Sequence, residues 1–206
     1  MVNSILNPEI NYPEIKKLDK GIVMQSKDAL FRVNRDLRFS QNKAPYKLHM
    51  AAGFSRGGKK SQYAGYYLQV GMKHIIIGGG LPFIEKEILR KIRIEIGYKN
   101  EDFLRILNDQ NFKNYFGFVH GENDKEIPKS FANIYEEYPV IANKQFYYGA
   151  IYDTEDWLMN DSLPQFMLEH FKAGTLFNQF LIKAISNFNG YSSVKKPVYP
   201  LIYKDA

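Results

Sequence analysis

Residues 48–77, LHMAAGFSRGGKKSQYAGYYLQVGMKHIII, decide the fold class. Residues 48–54 form one short run of strand-favouring residues. Residues 63–70 and 73–77 form two more, joined by a turn at Gly71. Between the first and second lies a glycine and lysine loop, residues 55–61. Upstream, residues 29–39 (ALFRVNRDLRF) alternate with period two. Phe31, Val33, Arg35, Leu37 and Phe39 fall on one face, and Arg32, Asn34, Asp36 and Arg38 on the other. Asn42 and Pro45 break the chain between this run and the next. Four short strands in close succession predict an antiparallel sheet.

After Gly78-Gly79-Gly80 the period changes. Ile84, Ile88, Ile92 and Ile96 recur every fourth residue, as on an amphipathic helix. The glycines read as a tight turn or a place of close backbone packing between strand and helix. Asn100 is placed to cap a second helix over Phe103, Leu104 and Leu107. Residues 117–144 read as irregular and residues 145–152 as a late strand. Ser162-Leu-Pro-Gln165 resembles a capping box. It opens a long helix that buries Phe166, Met167, Phe177, Phe180, Leu181, Ala184 and Ile185. Residues 1–28 read as loop with a helical turn near residues 13–18, and residues 190–206 as a basic tail. The expectation is an α+β fold: one domain over residues 1–206, with a mostly antiparallel sheet packed against several helices.

The chain has 206 residues, 45% of them hydrophobic, which suffices for a core without staples. It has no cysteine, which removes disulfides, thiolate metal sites and cysteine nucleophiles. The first twenty residues are polar and the longest apolar run is short. The expectation is therefore a soluble cytoplasmic protein with no membrane partner. The formal net charge of +6 is local. Residues 32–60 carry eight basic residues against Asp36 alone, whereas the remainder is nearly neutral.

That basic segment carries the candidate chemistry. Arg35, Arg38, Lys43 and Lys47 sit around a strand-to-strand loop, where arginine forks and lysine point charges could clamp phosphate or carboxylate oxygens. Arg56 and Lys59 could close over the same anion. Asp36, Tyr46 and His49 are the nearby acid–base candidates. The competing reading is a surface whose ions pair with carboxylates elsewhere.

Residues 53–61, GFSRGGKKS, nearly spell a phosphate-binding loop. Lys60 stands where a magnesium-holding Ser or Thr is needed, and a strand follows instead of a helix, so a nucleotide triphosphatase is rejected. A looser nest of backbone N–H groups remains open. The triple glycine lacks the spacing of a dinucleotide fingerprint. His49, His74, His120 and His170 show no metal spacing, and no serine-hydrolase elbow is present. No metal or cofactor is called for. Tyr46, Phe54, Tyr63, Tyr66 and Tyr67 interleave with the basic residues, a composition that suits single-stranded nucleic acid as well as an ordinary strand.

Several of these runs resemble the family called domain of unknown function 2461. The run FRVNRDLRFS, residues 31–40, followed by Lys43 and Pro45-Tyr46-Lys47, is similar to its signature. Residues 54–59 resemble its basic glycine loop and residues 64–67 its next strand. Gly80, Pro82 and the helix with Arg93 are similar to its middle section, and residues 128–131 to its Pro-Lys-Gly-Phe element. The likeness runs over about residues 8–186. Family members usually have helices and an Asn-rich stretch ending in Trp-Phe ahead of the signature. With about thirty residues there, this chain is expected to be a shortened relative or an incomplete start. Ser130 replaces the family's glycine, and Tyr138 replaces a histidine that precedes proline, so any site using that histidine would be altered. The resemblance implies a mixed α/β fold and no reaction.

Three readings follow. The first is an anion-binding domain, an enzyme or not, for a phosphorylated or carboxylated small molecule. The second is a nucleic-acid-binding module, and the third an interaction protein with no ligand site.

Overall fold

Alternating apolar residues have to bury one face of a strand, and here they do so in a four-stranded antiparallel sheet that follows chain order. In a computed structural model, residues 8–24, 26–34, 46–59, 61–127, 131–157 and 162–186 are described. The strands are β1 (His49–Ser55), β2 (Gly65–Gly71), β3 (His74–Leu81) and β4 (Phe146–Asp153). One row of the register runs Ala52, Leu68, Ile77, Ala150. Side chains of that row and of alternate rows point to the core. They include Phe54, Tyr66, Val70, Ile75 and Tyr148, all buried. The fold is α+β.

Helices cover this face. α1 (Pro8–Leu18) and the short α2 (Ser26–Ala29) precede the sheet. Between β3 and β4 lie α3 (Lys86–Tyr98), α4 (Asn100–Leu107), α5 (Gln110–Phe116), α6 (Ala132–Glu137) and a 3-10 turn at Pro139–Ala142. The long α7 (Leu163–Ser186) crosses the sheet and packs most closely on β3. Its Phe171 meets the rings of Phe54 and Tyr66, and its Phe177 those of Phe103, Phe112 and Tyr148. Phe171, Phe177 and Leu181 are fully buried, each contributing about 1.5–3 kcal/mol by leaving water.

Four sequence expectations need correction. β3 does not stop at Ile77 but runs through the triple glycine to Leu81. Those glycines pair with both neighbouring strands, Gly65 with Gly80 and Gly78 with Gly149. A Cβ on Gly78 would fall 2.3 Å from the Tyr148 carbonyl oxygen, and one on Gly80, at φ +93°, would fall 2.4 Å from that of Phe146. This is close backbone packing inside a sheet, not a turn. Second, the opening stretch holds an 11-residue helix around Pro13, because Ile15 is drawn fully into the core beneath α7. Third, α6 and the 3-10 turn occupy a stretch read as irregular, held by buried Phe131 and Ile141. Fourth, within the predicted strand 29–39, Leu30 bridges Ala52 and Asn34 bridges Tyr46, as isolated pairs. Residues 35–45 lie outside the described residues, as does the basic tail.

Candidate functional site

Among the described residues, the face of the sheet turned away from α7 is covered by no helix layer. Its rows carry little. One reads Gly53, Tyr67, Gly78, Gly149, and the next Ser55, Gly65, Gly80, Tyr147. Missing side chains at the centre leave a groove of about 880 Å³. That lies within the ~300–1,000 Å³ of small-molecule sites.

The groove has two unlike walls. On the β1 side, Phe31 lies over Gly53, where an added Cβ would come within 3.1 Å of its ring. Phe31 meets Tyr67 edge-on at 6.1 Å. The Lys59 ammonium sits 5.7 Å from the Phe31 ring centroid and donates to the Leu30 carbonyl. One hydrogen bond leaves it two further donors. Lys47 and His49 continue this wall. Burial and the neighbouring Lys47 charge lower the His49 pKa, which keeps its imidazole neutral at pH 7. On the β4 side, Tyr147 stacks on His120 at 5.6 Å and 25°, and the two residues exchange backbone hydrogen bonds of 2.7 and 3.2 Å. Ile151 is 66% exposed beside them. Among the described residues, the groove is lined by two lysines and two histidines and by no aspartate or glutamate.

Of the residues singled out in the sequence, Lys47, His49 and Lys59 all line this groove. Tyr46 is exposed outside the lining. Arg56 is held elsewhere: its Nε and Nη2 fork onto the nearly buried Asp19 carboxylate at 2.7–3.0 Å, tying the β1–β2 loop to the end of α1. The glycine loop also spends amides on itself, since Gly58 and Ser61 donate to the carbonyls of Ser55 and Gly58. Arg35, Asp36, Arg38 and Lys43 lie outside the described residues. Tyr66 faces the core, 3% exposed, with its hydroxyl 3.1 Å from that of Thr175. The Tyr67 hydroxyl donates to Gln69. Phe31, His120, Tyr147 and Gly149 escaped sequence reasoning as site residues. Gly149, a glycine in mid-strand, was the one legible signal among them.

The chain matches the family model described as conserved hypothetical protein, DUF2461, over residues 9–180. It belongs to this family. No curated protein and no solved structure matches the chain. The DUF2461 match spans all four strands and hence both walls of the groove.

A second cavity in this DUF2461 chain, about 710 Å³, adjoins the first beyond Pro82 and Phe83. There Lys86, Arg90, Arg93 and Lys144 are matched by Glu85, Glu87, Asp124 and Glu126. Arg93 is already bound by Asp124 at 2.7 Å and by the Ile141 carbonyl at 2.9 Å. This cavity carries no preference of sign. Among the described residues no group of side chains could hold a metal ion, and no helix is long and apolar enough to cross a membrane.

Proposed function

We propose that the open face of the sheet binds a small phosphorylated or carboxylated molecule. The observation that carries this is the charge of the lining. Among the described residues, no aspartate or glutamate lines this groove, while Lys47 and Lys59 stand on one wall. An anion at that wall meets donors and no repulsion, and both lysines act as point charges. Neutral His49 beside them accepts a hydrogen bond or a proton. Arg35, Arg38 and Lys43 are assigned to the same ligand on their charge. They belong to the stretch joining Asn34 to Tyr46, which are paired with each other next to this wall. Arg56 is left out of the set, because Asp19 already neutralises its fork.

The nucleic-acid reading needs a common platform of Tyr63, Tyr66 and Tyr67. Burial of Tyr66 on the opposite face breaks that platform, so the small-molecule reading is preferred.

A thermal-shift comparison tests the proposal, using inorganic phosphate, citrate, a sugar phosphate and a short oligonucleotide at low and moderate salt. A ligand at a hundred times its Kd adds about 2.7 kcal/mol, which raises Tm by about 5–10 °C in a domain of this size. The expected result is such a shift with a small anion, persisting in salt and lost in the double variant Lys47→Ala, Lys59→Ala. An unchanged shift in that variant would sink the proposal. So would a shift with the oligonucleotide alone that vanishes in salt, the signature of backbone counterion release.

A further inference from the structure

Glycine inside a strand weakens it, so each one asks for a cause. For Gly78 and Gly80 the cause is internal, since a Cβ would strike a neighbouring carbonyl. Gly149 on β4 has no such cause among the described residues. Its φ is not positive, because the positive-φ glycines are Gly57, Gly58, Gly80 and Gly117. No bulge occurs there, since pairing with β3 is unbroken from His74↔Asp153 to Leu81↔Phe146. A Cβ on Gly149 would meet the Ile77 oxygen at 3.7 Å and Ile76 Cγ2 at 4.0 Å, both ordinary contacts. Backbone and packing would accept the Cβ of an alanine, and strand propensity would favour a β-branched residue over glycine. What a side chain at 149 would do is enter the groove, because 149 shares its face with Tyr147 and Ile151.

Resting on the anion-binding reading above, we infer that the ligand carries a flat aromatic ring lying on the backbone of Gly78 and Gly149, with its anionic group at Lys47 and Lys59. Three further observations agree. The bare patch spans β2, β3 and β4 where Gly65, Gly78, Gly80 and Gly149 adjoin. Gly78 with Gly149, and Gly65 with Gly80, each leave about 5 Å bare across strands, and the two rows lie about 7 Å apart with Tyr67 and Tyr147 at the other corners, room for one ring. The walls that flank it are rings: the Phe31–Tyr67 pair on one side and Tyr147 on His120 on the other. A flat ligand between them finds offset or edge contacts on both sides. The charge lies to one side, behind Phe31, where Lys59 sits, so a ring and an anion on one molecule reach both features together. Gly149 then sets specificity by leaving the thickness of a ring between floor and ligand.

The test compares 4-phenylbutyl phosphate with 4-cyclohexylbutyl phosphate, whose chains can carry the anion across the roughly 12 Å from Gly78 and Gly149 to the β1 wall and which differ in the flatness of the ring, with inorganic phosphate as reference. Binding to the full chain is measured by calorimetry. The phenylbutyl phosphate is expected to bind more tightly than the cyclohexylbutyl phosphate by about three- to tenfold, the change one aromatic pair is worth. Gly149→Val should remove that advantage while leaving inorganic phosphate binding and Tm no lower than in the parent. If the valine variant does not fold, Gly149→Ala serves, with a smaller loss in the same direction. Equal binding of the two organic phosphates would overturn the ring. So would an unchanged preference in Gly149→Val. In either case weaker binding of all three phosphates on Lys47→Ala, Lys59→Ala leaves the anion groove standing. Binding of none of the three overturns both.

Discussion

Fully buried in α7, His170 has both ring nitrogens occupied. Nδ1 lies 2.7 Å from the Phe166 carbonyl oxygen and can only donate to it. Nε2 must then accept from the Tyr152 hydroxyl at 2.6 Å. Around it stand the rings of Tyr115, Phe116, Tyr152 and Phe166, with Glu169 next in sequence. Burial lowers the His170 pKa below its ordinary value, outweighing the Phe166 carbonyl and Glu169, which raise it. The native state therefore keeps the neutral ring. As pH falls below about 6.5 the unfolded chain takes up a proton that the native chain refuses, so this stability is present above that pH and drains away below it. Urea midpoints measured at about pH 7.5 and pH 5.5 should fall on acidification. The fall should be smaller in His170→Gln, and identical falls would show that His170 does not titrate this way. Site residues were legible to the extent that their chemistry is local. Lys47, His49 and Lys59 announce themselves by charge within one stretch. His120, Tyr147 and Gly149 reach the groove only through the pairing of β4 with β3, a long-range event. Arg56 looked free because its partner, Asp19, is set by the packing of α1.

At the scale of elements, Arg93 shows how an apolar helix face can include a charge. It lies on the buried side of α3 with Ile92 and Ile96. From there its Nε donates to the Ile141 carbonyl and its Nη2 to Asp124 and, at 3.3 Å, to Ala142. One guanidinium thus anchors the 3-10 turn that leads into β4. Arg93→Met keeps the length of the side chain but orphans these acceptors, and should cost about 3 kcal/mol by urea denaturation. Arg93→Lys should recover little, since a point charge cannot serve several acceptors in a fork. A loss below about 1 kcal/mol in Arg93→Met would mean that the turn is held by Phe131 and Ile141 alone. Long elements were the readable ones. α3 showed its four-residue isoleucine repeat, α7 its opening Ser162-Leu-Pro-Gln165 and buried stripe, and β1, β2 and β4 their runs of strand-favouring residues, each to within about two residues. α5 and α6 have seven and six residues, too few turns for a period to show. α5 could still have been read from Asp109, whose side chain caps it by accepting from the Phe112 amide at 2.9 Å. The end of β3 was misplaced because glycine signals a break locally, while two flanking strands override it.

Across the whole molecule, the sheet follows chain order, but its joins are unequal. β2 turns into β3 through Met72 and Lys73 alone, and β1 reaches β2 through one short loop. β4 pairs with β3 only after the entire stretch from Pro82 to Gln145 has been folded around it. Closing a loop costs entropy that grows with its length, and it must be spent before the pairing returns anything. Hairpins close in about 1–10 μs, whereas non-local pairings wait. The three-stranded meander should therefore be the folding nucleus, with β4 arriving last. In stopped-flow kinetics Val70→Ala should chiefly slow refolding, and Phe146→Ala should chiefly speed unfolding; the reverse pattern would place β4 in the nucleus. The same order governs the groove. Its lysine wall is assembled early and its tyrosine wall late, so the groove is complete only when the last strand is home.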